Sequence, residues 1–184
     1  MRILTSGLIV LSIAGPVVAE HAPTSPHTGP IASEIRGLTD REVSDLREGL
    51  GMGRARAAEL NGYPGPRHVL DAAQAGRLSL TPEQARTAHR LFEGMAREAR
   101  RLGELILREE QSLEGEFQAA RIGEADLHAR ALRIAALEGE LRAVHLRAHI
   151  EMRAVLSAPQ IQRYNELRGY VTGAPTEHQH PPRP

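Results

Sequence analysis

The stretch Arg121-Ile-Gly-Glu-Ala-Asp126 (RIGEAD) separates two long helix-forming runs, and its shortness decides how they are arranged. Upstream, Pro82 to about Arg121 has no proline after its first residue. Leu91, Met95, Leu102, Ile106, Leu113 and Phe117 recur there on one side at helical spacing. Downstream, Glu124 to Val155 repeats the pattern with Leu137, Leu141, Val144, Ala148 and Val155. Gly123 can turn the chain, and a connection of a few residues forces the two helices to lie antiparallel as neighbours. The reading is therefore an all-α fold built on a long helical hairpin. Taking the turn as centred near Ile122 sets His145 and His149 opposite Met95, Glu98 and Ala99.

The second long helix carries another apolar stripe: Leu132, Ala136, Gly139, Ala143, Leu146 and Ile150. At 100° per residue it lies roughly opposite the first. Two stripes need two neighbours, either the shorter helices or a second copy, and an extended hairpin does not easily bury both within one chain. The expected assembly is a homodimer.

Three short segments mark helix starts: Leu38-Thr-Asp-Arg-Glu42, Leu80-Thr-Pro-Glu-Gln84 and Leu156-Ser-Ala-Pro-Gln160. In each, Thr or Ser can cap the first amides while Glu or Gln three residues on reaches back to the cap, a capping box. Pro82 stands at the first helical position, where its missing N–H costs nothing. The first box opens a helix expected over Asp40–Leu60, weakened by Gly49-Leu-Gly-Met-Gly53 and kinked there. It stops at the breakers Asn61-Gly-Tyr-Pro-Gly-Pro66. A short helix over Arg67–Ala75 and a last one over Ala158–Arg168 complete the flanking elements.

The first residues, MRILTSGLIVLSIAGPVVAEHAP, place Arg2 before an apolar run and a Val17-Val-Ala19 pattern behind it. They read as a signal peptide over 1–19 cleaved after Ala19; an uncleaved membrane anchor is the alternative, disfavoured by the short run and Pro16. Residues 20–37 read as a flexible linker, 38–170 as the helical domain and 171–184 as a disordered tail. With zero cysteines there is no disulfide or thiolate ligand. The 23 basic residues, all arginine, balance 23 acidic ones, so no field gathers nucleic acid. At 3% aromatic residues and no Trp, nucleic-acid stacking is disfavoured and the core must be aliphatic, as in close-packed helices.

LTPEQ and LSAPQ, each opening a helix, together with GMGRARAAELNGYPGPRHVL, the hairpin and QRYNELRGY, resemble the LTxxQ-motif periplasmic proteins of the Spy/CpxP-like family. The closer likeness is to the branch labelled heavy-metal sensor or resistance proteins. The resemblance covers roughly Leu38 to Tyr170. It implies a hooked or cradle-shaped dimer of helical hairpins in the periplasm, acting in envelope stress. Members are either sensors of divalent transition metals or ATP-independent chaperones for unfolded periplasmic proteins. Sensors use His-x3-His or His-x3-Met pairs with a carboxylate, and an envelope signalling partner reads them.

The candidate site is in Ala143-Val-His-Leu-Arg-Ala-His-Ile-Glu-Met152. His145 and His149, four apart on a helix, can present both imidazoles to one ion. Glu138 and Met152 fall on nearly the same ridge, and the antiparallel partner offers Glu98 and Met95. The expected ligand set is His145, His149, Glu98 and a methionine, Met95 or Met152, suited to zinc, nickel or copper. The plain alternative is a pair of half-exposed histidines at a helix seam, with Glu98 pairing one of them. No general base, nucleophile or phosphate loop accompanies them, so no enzyme is expected. Arg86, Arg90, Arg97, Arg101 and Arg108 form a charged face that reads as solvated, or as a client-binding surface. Met52 and His68 could form a secondary metal site but read first as packing residues. His178 and His180 in the tail, and the amine of Glu20 beside His21, are weaker chelators still.

Overall fold

Capping boxes open three of the six helices of the described residues. The computed structural model describes residues 33–170. The predicted leader, most of the linker and the tail lie outside them. Among the described residues there are six helices and no strand: α1 (Asp40–Glu48), α2 (Arg56–Glu59), α3 (Pro66–Gln74), α4 (Pro82–Gln118), α5 (Glu124–Val155) and α6 (Ala158–Arg168). Thr39 Oγ1 accepts from the Glu42 amide at 3.2 Å while Glu42 accepts from the Thr39 amide at 2.8 Å. Thr81 and Gln84 reciprocate in the same way at 3.1 and 2.9 Å. At the third start, Gln160 Oε1 accepts from the Ser157 amide at 2.9 Å.

The two glutamines do more than cap. Gln84 and Gln160 exchange amide hydrogen bonds, each Nε2 donating to the other's Oε1 at 2.9 Å. Their remaining N–H groups donate to the Val155 and Ser79 carbonyls at 3.0 and 2.8 Å. The starts of α4 and α6 are thereby tied together, and the tie closes the base of the molecule. A half-buried amide pair with its hydrogen bonds met costs little, whereas one deleted partner would leave the other unsatisfied.

The expected first helix is corrected. Asp40–Leu60 is not one kinked helix, because α1 ends at Gly49 in a left-handed conformation (φ 68°, ψ 34°). The Gly49 amide bonds the Leu46 carbonyl and the Leu50 amide reaches the Asp45 carbonyl at 2.8 Å, a terminating motif that glycine adopts without steric cost. Met52 and Gly53 follow at positive φ, and helix resumes only as the single turn α2. The linker boundary also moves: Ile35 is buried among Val43, Leu46, Leu102 and Ile106, so residues 33–37 belong to the folded unit.

The hairpin has the expected register. Arg133 pairs with Glu109 at 3.0 Å, and Arg130 reaches Ser112 at 2.7 Å, across α4 and α5. One core cluster joins Ile35 and α1 to the middle of the hairpin; a second joins α3 and α6 to its base around Val69, Ala88, Met152 and Tyr164. The outer stripe of α5 is open in the single chain, with Leu132 58% and Ile150 59% exposed. No helix among the described residues is long and apolar enough to cross a membrane.

Gly103 sets the approach of α1 to α4, since a Cβ there would lie 2.0 Å from the Leu46 carbonyl oxygen. Gly139, on α5, has nothing within 4 Å of the same position. Gly103→Ala should therefore lower the melting temperature by pushing α1 away, costing roughly 1–3 kcal/mol as overpacking does. Gly139→Ala should raise stability by about 0.5–1 kcal/mol through helix propensity. Thermal denaturation of both variants checks the pair.

Candidate functional site

The ridge carrying His145 and His149 does not face α4. The residues of α5 that meet Met95 and Glu98 across the hairpin are Val144 and Ala148, which line a groove with them. Rotated from these, the histidines meet the segment between α1 and α3 instead. Both are buried, at 3% and 6% exposure, rather than half-exposed. His145 Nδ1 lies 2.9 Å from the Leu141 carbonyl, one turn back, and His149 Nδ1 lies 2.8 Å from the Tyr63 carbonyl. A carbonyl can only accept, so each Nδ1 carries a proton. His145 Nε2 is buried without a partner, beside Gly51. Burial pushes the His145 pKa down, against the Leu141 and Gly49 carbonyls that favour its charged form, so the ring stays neutral.

His149 opens into a cavity of about 500 Å³. Its walls come from the Gly49–Gly53 loop, Arg56 and Glu59 of α2, Gly65 to His68 with Asp71, Phe92 and Met95 of α4, and Arg168 and Tyr170. The polar residue at its floor, Glu59, is 9% exposed. Its carboxylate accepts from the hydroxyls of Tyr164 (2.9 Å) and Tyr170 (2.7 Å) and from Arg168 (3.4 Å). Burial pushes the Glu59 carboxyl up, but the Tyr170 and Tyr164 hydroxyls and the Arg168 charge outweigh it and hold the pKa below the ordinary value. Tyr164 in turn accepts from the Gly65 amide at 3.4 Å. A Cβ on Gly65 would lie 3.0 Å from His149 Nε2 and 3.1 Å from Glu59 Oε1, so only glycine lets the imidazole and the carboxylate close on this turn. Arg153 fixes the same turn by donating to the Gly62 carbonyl and lying 4.8 Å over the Tyr63 ring.

Of the five expected ligands, the structure places His149 and Met95 on one cavity, with His145 one turn away on α5 and outside its lining. The imidazoles are neighbours on α5, and Met95 lines the cavity with His149. Glu98 is elsewhere, because α5 presents Ala148 to it and Arg101 clamps its carboxylate at 2.6 and 3.0 Å. The bonded Arg101 holds the Glu98 pKa below its ordinary value. Met152 continues the histidine ridge, but further along α5 the neighbours are α3 and α6, and it is fully buried in the apolar cluster with Val69 and Tyr164. Glu138, also on the ridge, is bound by Arg54 at 3.0 Å. Among the described residues no group of three or more His, Asp or Glu side chains is placed to hold a metal ion.

Glu59, Tyr164, Arg168 and Tyr170 escaped the sequence reading. Their one signal was the Gly62-Tyr-Pro-Gly-Pro66 run, which marks a fixed turn but not what packs on it. Met52 and His68, read as packing residues, line the same cavity as His149. No family model, curated protein or solved structure matches this chain, so its functional reading rests on its own geometry.

The Glu59 carboxylate makes stability pH-dependent with a definite sign. Its folded pKa lies below the ordinary 4.5, so its contribution is present above that value and is lost as pH falls through the folded pKa. Glu59→Gln should lower stability at neutral pH by roughly 1–3 kcal/mol, the cost of breaking a buried network. The variant's melting temperature should also fall less steeply than the parent's on acidification below about pH 5. Melting curves across that range check both expectations.

Proposed function

We propose that the protein is exported and binds a transition metal ion, zinc, nickel or copper, through the imidazoles of α5, as a periplasmic metal sensor or resistance protein. One observation carries the reading. Two buried histidines, a helical turn apart, are each anchored through Nδ1 to a backbone carbonyl, with Nε2 of His145 beside Gly51 and Nε2 of His149 beside Gly65. Backbone anchoring of the far nitrogen is how metal-ligating imidazoles are held in orientation. The orphaned Nε2 of His145 fits such an ion, and so does the cavity-facing ring of His149. The Glu98 carboxylate does not fit, being clamped away from them.

Such an ion gives the protein a means of signalling. The Gly49–Gly53 loop covers His145, so coordination by both imidazoles requires the loop to move. That movement changes the wall of the cavity and the seat of α1. The conformation-dependent surface would be read by a partner in the envelope.

The exposed outer stripe of α5 favours a second reading. Leu132 and Ile150, with Phe117 (54% exposed) nearer the tip, would suit either a second copy of the chain or an unfolded client. In that reading the histidines are structural.

Calorimetric titration of the exported chain with zinc, nickel and copper separates the two. The metal reading expects saturable binding at one ion per chain, lost in His149→Ala and retained in His178→Ala. Equal binding by the parent and His149→Ala, with suppression of client aggregation in metal-free buffer, would leave the client-binding reading.

A further inference from the structure

The cavity beside His149 holds oxygen donors that are already engaged and sulfur donors that are not. Glu59 is saturated by two hydroxyls and a guanidinium. Asp71 Oδ1 is 3.3 Å from Arg67, and its other oxygen faces His68 at 3.9 Å. A cation entering would therefore have to strip a carboxylate from its donors to gain an anionic ligand. The wall also carries three guanidinium groups, Arg56, Arg67 and Arg168, against those two carboxylates. Repulsion from this wall is twice as large for a divalent as for a monovalent ion.

The donors left over are thioethers and imidazole. Met52, Met95 and His149 line the cavity from three different elements, the loop after α1, α4 and α5. Met52 is held there with its backbone in the left-handed region (φ 46°), between Gly51 and Gly53. A non-glycine residue in that conformation is uncommon and marks a position where the side chain is worth some backbone strain. Met95 and Phe92 line the cavity from α4. Two thioethers and an imidazole form a set that selects copper(I) over zinc or nickel.

We propose that this cavity is a site for a soft monovalent cation, copper(I), ligated by the sulfurs of Met52 and Met95 and by Nε2 of His149. The assignment rests on His149 being a metal ligand and narrows which ion the protein takes. It replaces Glu98 and Met152 of the expected set with Met52 and puts the ion on the cavity side of His149, away from His145. No electron transfer is involved, since the ion binds and leaves as copper(I).

Silver(I), a redox-inert ion of the same charge and softness, is the probe. The full chain, labelled with ¹³C at the methionine methyls, is titrated with silver and, separately, with zinc. The Met52 and Met95 methyls and the His149 imidazole should shift together and saturate at one silver per chain. The Met152 methyl, buried against Tyr164, should stay in place. Met52→Leu and Met95→Leu, which conserve volume, should each weaken silver binding at least about tenfold and leave zinc unchanged. If silver moves neither methyl while zinc still shifts His149, the copper(I) assignment is overturned and the broader metal reading stands. If silver moves the methyls but not His149, the three-donor site is wrong. If neither ion shifts His149, both readings fall.

Discussion

A carboxylate withdrawn from water at Glu59 imposes conditions that much of the lower molecule meets. Burying a charge without partners is prohibitive, so the Glu59 oxygens must be bound, and the partners come from far along the chain. Tyr164 lies on α6, and Arg168 and Tyr170 at and just beyond its end. Holding them there fixes α6 against α2, and the Gln84–Gln160 exchange fixes the start of α6 against the start of α4. Between these two ties lies the turn Gly62–Pro66, whose Tyr63 carbonyl orients His149. The cavity is what remains between elements that cannot approach more closely. Its shape follows from satisfying one buried charge.

This origin also explains the chemistry of the cavity wall. The Glu59 oxygens there are committed to holding the fold, while the thioethers of Met52 and Met95 line the same cavity. In the copper(I) proposal, committed carboxylates and free thioethers would discriminate among ions by charge and by polarizability together. The glycine-rich loop that carries Met52 has left-handed residues at both ends, Gly49 and Gly53.

Much of the fold was legible because its signals are local. The capping boxes at Thr39, Thr81 and Ser157 place helix starts through residues three positions apart, and the bounds of α5 and α6 agree with the reading. The hairpin register was legible too, since a short turn leaves one pairing, seen in Arg133 and Glu109. The break after α1 was underestimated. Each glycine lowers helix propensity modestly, but Gly49 adopts a terminating conformation that propensity does not register. The site was legible only in part because its geometry is not local. Helical spacing shows that His145 and His149 share a face, not which neighbour that face meets. Two apolar stripes flank it on α5, and the choice between α4 and the α1–α3 segment depends on how the whole bundle packs. The partners of Glu59 lie 105 and 111 residues away, with no spacing rule to announce them.

The fold anchors Nδ1 of His145 on the Leu141 carbonyl and Nδ1 of His149 on the Tyr63 carbonyl, so that Nδ1 carries a proton in both rings. Long-range ¹H–¹⁵N NMR of the imidazoles tests it directly, because protonated and lone-pair nitrogens have well-separated shifts and the tautomer is otherwise an inference from geometry. The expected result is Nδ1–H in both rings, with the His149 Nε2 resonance responding when metal is added. Either ring found as the Nε2–H tautomer, or averaging between tautomers as an exposed histidine does, would contradict the account.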